Sequence, residues 1–190
     1  MSATTVLLCG VGGQGTILAA DILAKVAAAS GLEVKLSEIH GMSQRGGSVT
    51  TVVRFGDEVH SMVCDPGSVD RIIAFEEIEA LRNLPYLSEN GTLLVNAEAI
   101  PSLPVLTGAV KPFEGSGELL DSLGAHLVPA GSIAREVGNP KGTNVVLIGA
   151  LSTTLPFEES VWEDVIAKRV PPKTVEANLE AFHAGRKAVS

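Results

Sequence analysis

Short apolar runs alternate with stretches of helical spacing from the first residues of the chain. Thr4 to Cys9 is an apolar run closed by glycine, and Gly15 to Ser30 places Ile17, Leu18, Ile22, Leu23 and Val26 on one helical face before Gly31. Glu33 to Glu38 alternates Val34 and Leu36 with Lys35 and Ser37, which completes a strand–helix–strand unit. Val49 to Phe55 and Val59 to Cys64 flank Gly56-Asp57-Glu58, a sequence suited to a hairpin turn, so an antiparallel piece is expected in the sheet. Further strands are expected at Arg71 to Phe75, Thr92 to Asn96 after an Asn90-Gly91 turn, Val105 to Val110 and His126 to Val128. Helices are expected at Glu76 to Leu84, Glu118 to Leu123, Ile133 to Val137, Thr143 to Thr153, Glu158 to Lys168 and Thr174 to Lys187. Thr143 to Thr153 is apolar nearly all round, the pattern of a helix covered on several sides, and packing against another chain is one reading of it. The alternation predicts one domain over residues 1–190, a three-layer Rossmann-like α/β fold with a mixed, mainly parallel sheet.

Composition narrows the function. A chain of 190 residues that is 45% hydrophobic buries one sizeable core. A net charge of -8 argues against nucleic acid or an anionic membrane as partner, because both require a basic face. The N-terminus lacks the basic flank of a signal peptide and no apolar stretch reaches membrane-spanning length, so a cytoplasmic protein is expected. Cys9 and Cys64 are read as buried thiols near strand ends, and two cysteines do not supply the four thiolates of an iron–sulfur cluster.

Two clusters carry candidate chemistry. Gly10-Val11-Gly12-Gly13-Gln14-Gly15-Thr16 sits where the first strand turns into the first helix, the place where α/β folds present free backbone amides to phosphate. Glu38 lies where a dinucleotide fold puts the acid that holds a ribose hydroxyl, which keeps a nicotinamide or flavin nucleotide reading open. The second cluster, Glu38-Ile39-His40-Gly41-Met42-Ser43-Gln44-Arg45-Gly46-Gly47, is a polar, glycine-rich loop leading into a strand, and suits contact with a partner or an incoming ligand. Arg45 offers a planar fork for phosphate or carboxylate, and His40 is a second candidate lining the cleft. The candidate ligand-binding set is Gly10, Gly12, Gly13, Gln14, Gly15, Thr16, Ser43, Gln44, Arg45 and Gly46; His60, His126 and His183 are isolated and no metal site is expected.

Taken together, the two clusters resemble the gamma subunit or domain of 2-oxoacid:ferredoxin oxidoreductases, with most similarity to the small subunit of the indolepyruvate type. Ala74-Phe75-Glu76, Glu79-Ala80-Leu81-Arg82, Gly138-Asn139-Pro140, Asn144 to Ala150 and Pro171-Pro172-Lys173 extend the resemblance over nearly the whole chain. The resemblance implies a small accessory subunit that completes an active-site cleft and helps to hold the co-substrate coenzyme A. It also implies a large partner subunit carrying thiamine diphosphate, magnesium and the iron–sulfur clusters, through which electrons from oxidative decarboxylation reach ferredoxin. A gamma subunit for pyruvate, 2-oxoglutarate or branched-chain oxoacids, and an independent nucleotide-binding dehydrogenase, stand as the alternatives.

Overall fold

A computed structural model describes residues 3–40, 47–101 and 103–189, with the backbone alone at 40, 103 and 104. Six strands form one sheet, β1 (Thr4–Val11), β2 (Glu33–His40), β3 (Ser48–Gly56), β4 (Val69–Ala74), β5 (Leu87–Asn96) and β6 (His126–Val128), in the order β2-β3-β1-β4-β5-β6. β3 runs antiparallel to both of its neighbours, while β1, β4, β5 and β6 pair in parallel. The sheet is therefore mixed and mainly parallel, as the alternation predicts.

Period-two alternation divides the strand residues between two cores. Val6, Leu8, Val53, Phe55, Ile73 and Leu94 face one helical layer, and Leu7, Cys9, Val52, Ile72, Ala74, Leu93 and Val95 face the other. The first layer holds α1 (Thr16–Ala29), α5 (Ala130–Glu136), α6 (Thr143–Ser152), α7 (Glu159–Arg169) and α8 (Val175–Lys187). The second is thinner and contains α2 (Glu77–Asn83) and α4 (Ser116–Ser122). A single turn of helix, α3 (Leu103–Leu106), lies in the connection between β5 and α4.

Three elements differ from expectation. The predicted hairpin across Gly56-Asp57-Glu58 does not form, because both edges of β3 are already occupied by β1 and β2. Residues 59–64 are irregular, and side chains bind their backbone instead of a ladder: Lys35 Nζ donates to Val59 O, Val59 N donates to Glu33 Oε2 at 2.9 Å, and Arg54 donates to Ser61 O at 2.8 Å. The strand expected over Val105 to Val110 is absent; α3 and a turn at Gly108, with φ of 74°, occupy this stretch between Pro101 and Pro112. Asn90-Gly91 does not turn the chain but lies within β5, where the register against β4 jumps from Val69↔Leu87 to Arg71↔Thr92. The remaining expected helices form within a few residues of their predicted bounds.

The all-round apolar helix α6 is enclosed by its own chain. Every residue from Asn144 to Ser152 is buried, and α6 packs against α1, α5, α8 and β5, so its composition is no sign of an absent partner. Against α8 the two backbones touch at glycines. A Cβ on Gly149 would stand 2.1 Å from Phe182 O, and one on Gly185 would stand 1.9 Å from Val146 O. Gly185→Ala is expected to lower the unfolding free energy by about 3 kcal/mol, because forced separation of the helices outweighs the gain in helix propensity. Urea denaturation followed by far-UV circular dichroism measures it; an unchanged midpoint would show that the helices do not cross this closely.

Candidate functional site at the carboxyl edge of the sheet

β1 continues into α1 on one face of the sheet, and its neighbour β4 continues into α2 on the other. The chain ends of β1 and β4 thus diverge, which opens a crevice at the topological switch point of the sheet. The first glycine loop borders this crevice. Gly13 (φ 99°) and Gly15 (φ 82°) occupy the left-handed region, and Gly10 has no room for a side chain, since its Cβ would lie 2.6 Å from Gln14 Oε1 and 2.9 Å from Phe75 Cβ.

Gln14 closes the base of the crevice. Its Oε1 accepts from Val11 N at 2.8 Å, and its Nε2 donates to Phe75 O at 3.0 Å, joining the ends of β1 and β4. Thr16 is buried beneath the loop. Gly15 precedes α1 without a side-chain cap and the first turn holds no acid, so the leading amides of the helix carry their partial positive charge toward the loop unopposed. Asn144 at the start of α6 donates to Gly15 O at 3.3 Å and fixes the loop from the helical side.

The two sequence clusters meet at this edge. β2 ends at His40 and β3 begins at Ser48, which pairs with Val11, and Gly12 N donates to Gly47 O at 2.9 Å. The Gly47 end of the second loop therefore stands beside the first, while its His40 end lies one strand farther out, paired with Val49 of β3. Gly41, Met42, Ser43, Gln44, Arg45 and Gly46, with the side chain of His40, lie outside the described residues. Insertion of β3 also moves Glu38 away from the first loop. It ends up two strand spacings from β1, about 10 Å, rather than on the adjacent strand where a dinucleotide fold needs its acid.

Further polar residues complete the edge. Asn96, at the end of β5, donates to Phe75 O at 3.2 Å and to Glu98 Oε2 at 3.0 Å, while its Oδ1 accepts from Ala130 N at the start of α5 at 3.2 Å. The Phe75 carbonyl thus receives two side-chain amides, one from each neighbouring strand end. Glu76 is buried and caps α2: one oxygen accepts from Glu79 N at 2.8 Å and the other from Ile100 N at 3.1 Å. Burial pushes the Glu76 carboxyl up, aided by the charge of Glu79 and opposed by the amides that it accepts from. Glu79, also buried, accepts from Ser48 Oγ at 2.5 Å and pairs with Arg82 at 3.3 Å, tying the start of β3 to α2. Sequence reasoning used Glu76 and Glu79 only as marks of resemblance; an acid placed directly after an apolar run is the signal that could have found Glu76.

The cysteines split. Cys9 is buried against α2, and burial, then the Glu79 and Glu76 charges, push its thiol well up. Cys64 is half-buried in the irregular segment, not at a strand end.

Comparison with known proteins agrees with this architecture. The family model described as pyruvate ferredoxin/flavodoxin oxidoreductase matches residues 5–188. Indolepyruvate oxidoreductase subunit IorB of Thermococcus kodakarensis is 42% identical over 195 residues, covering 99% of this chain and 96% of that protein. 2-Oxoglutarate synthase subunit KorC of Methanothermobacter marburgensis is 31% identical over 187 residues, covering 96% and 94%. Among solved structures, pyruvate oxidoreductase subunit PORC of Thermotoga maritima superposes with a TM-score of 0.74 at 25% identity, over 98% of this chain and 97% of that one.

Two outcomes follow from the edge. Gln14→Ala removes both of its hydrogen bonds and is expected to cost about 1–3 kcal/mol of unfolding free energy in urea titration; a cost near zero would mean that Gln14 does not hold β1 to β4. Because the folded state raises the Glu76 carboxyl, its ionisation opposes folding, and stability attributable to this group falls as pH climbs from the ordinary glutamate value of 4.5 through the raised one. The unfolding free energy of the wild type minus that of Glu76→Gln is therefore expected to be higher at pH 4 than at pH 7. The opposite slope would contradict the burial of this carboxyl.

Proposed function

The chain belongs to the pyruvate ferredoxin/flavodoxin oxidoreductase family, and on that premise we propose that it is the small accessory subunit of a cytoplasmic, indolepyruvate-type 2-oxoacid:ferredoxin oxidoreductase. The observation that carries the reading is 42% identity, over nearly the full length of both chains, to a subunit of indolepyruvate oxidoreductase. The complex would convert a 2-oxoacid and coenzyme A to an acyl-CoA and carbon dioxide, delivering two electrons to ferredoxin. Thiamine diphosphate with magnesium on the large partner subunit supplies the decarboxylation chemistry. Cluster ligation also falls to that partner, since a buried Cys9 and a single half-buried Cys64 do not make a four-thiolate set.

This chain's own part is binding and positioning. The amides of Gly13, Gly15 and Thr16 and the loop bearing Ser43, Gln44, Arg45 and Gly46 are suited to a phosphate or carboxylate, with Arg45 supplying a planar cationic fork and His40 at the start of that loop; the Gly12 amide donates instead to Gly47 O. Gln14 keeps the loop in shape, as both ends of its amide are engaged within the chain. A large partner is further supported by apolar side chains left in solvent: Ile39 is 66% exposed, Leu106 69% and Phe113 58%. A gamma-type role with another 2-oxoacid is the second reading, favoured by the 31% identity to a 2-oxoglutarate synthase subunit. The independent dehydrogenase reading loses its ribose-binding acid to the insertion of β3.

Co-purification with the large subunit, followed by an oxoacid panel with coenzyme A and a viologen acceptor, tests the proposal. Highest kcat/KM with an arylpyruvate is expected; preference for 2-oxoglutarate would select the second reading, and failure to associate would overturn both. In the reconstituted complex, Arg45→Ala is expected to lower turnover about tenfold, a loss of about 1.4 kcal/mol in transition-state stabilisation, with partial recovery in Arg45→Lys. Wild-type kinetics in Arg45→Ala would make the loop a structural connection.

A further inference from the structure

On the surface of the thicker helical layer, α7 and α8 bring together three side chains that the proposed function does not use. Glu159 and Glu163 stand one turn apart on the same face of α7. His183 projects between them from α8, with Nδ1 3.0 Å from Glu159 Oε1 and Nε2 3.1 Å from Glu163 Oε1. One donor atom from each residue lies within 4.8 Å of the others.

Glu159 and His183 are oriented from behind. The second oxygen of Glu159 is 3.1 Å from an Arg186 nitrogen, and the guanidinium is itself anchored, donating to the buried Ser152 Oγ at 2.7 Å. The His183 ring packs edge-on against Phe182, whose ring stacks on Trp162. A carboxylate whose outer oxygen is held and a braced imidazole are features that fix ligands around a metal ion. An open cleft of about 700 Å³, lined by Val137, Glu159, Glu180, His183, Arg186 and Lys187, leaves room for water at further coordination positions.

We propose that Glu159, Glu163 and His183 form a binding site for a divalent transition-metal ion of the zinc class. The two carboxylates, one of them shared with Arg186, supply anionic oxygen donors, and the imidazole favours zinc-like ions over magnesium or calcium, which prefer all-oxygen sets. At metal–ligand distances of about 2.1 Å, tetrahedral donors stand about 3.4 Å apart, so binding requires one imidazole nitrogen to exchange its carboxylate contact for the ion while the partly exposed side chains draw together from separations of up to 4.8 Å. His183 is distant in sequence from both glutamates, which is why histidine spacing along the chain gave no sign of the site.

Zinc titration of the purified full chain by calorimetry tests the site, with fluorescence as an independent readout. Trp162 is the single tryptophan and lies one ring from His183, with Phe182 between them, so cobalt bound there should quench its emission. One saturable zinc ion per chain is expected, weakened at least about tenfold in His183→Ala and in Glu163→Gln. The glutamine variant keeps the side-chain shape and decides the matter if the alanine variant unfolds. His60→Ala and Cys64→Ser, which alter the exposed His60–Glu58 pair and the half-buried thiol, should leave binding unchanged. Absence of saturable binding, binding indifferent to Glu163→Gln, or loss of binding in the His60 or Cys64 variant would overturn the proposal.

Discussion

Strand β3 enters the sheet between β1 and β2, antiparallel to both, and the candidate site at the carboxyl edge depends on that placement. Because β3 runs against β1, its first residues lie beside the last residues of β1, and a backbone hydrogen bond joins Gly12 to Gly47, 35 positions away in the sequence. The same insertion fills both edges of β3, leaves residues 59–64 without a strand to pair with, and separates Glu38 from the glycine loop. One topological choice thus sets what can assemble at the carboxyl edge and what cannot.

Around that edge, polar groups are matched internally before any ligand arrives. The Phe75 carbonyl accepts from Gln14 and Asn96, Glu76 caps α2 while also accepting from Ile100 N, and Glu79 holds Ser48. Satisfied in this way, the buried acids act as struts, since a buried carboxylate without donors would cost far more than the edge could recover. The glycine loop is held from three sides, by Gln14 below, Asn144 behind and Gly47 beside it. What stays open to a ligand is the row of amides at the start of α1, where no side chain caps the helix. Preorganisation of this kind suits a subunit that positions a substrate rather than performing the bond-making itself.

Much of this was legible in the sequence because it is locally encoded. The strand–glycine loop–helix at Thr4 to Ser30, the enclosed helix at Thr143 to Thr153 and the final helix all follow from periodicity and turn residues. The position of β3 was not legible, as pairing order is a long-range property that a turn-like Gly56-Asp57-Glu58 can misdirect. Pro-flanked Val105 to Val110 has strand-forming side chains but no N–H ladder to join, and Asn90-Gly91 reads as a turn although the sheet absorbs it as an irregularity. The all-round apolar character of α6 was read as room for a partner, whereas glycine contacts bring α8 close enough to enclose it within the chain. The hydrogen-bonding roles of Asn96 and Asn144 escaped notice for a related reason: single asparagines carry no pattern, and their roles arise only where strand and helix ends converge.

Under the proposed function, this edge is where the chain engages its partner and the co-substrate. Hydrogen exchange on the chain alone, bound to the large subunit, and bound to both the subunit and coenzyme A measures it directly. Added protection confined to residues 10–18 and 38–49, with a further increment on coenzyme A, is the result this account predicts. Protection elsewhere with none across these two segments would contradict it.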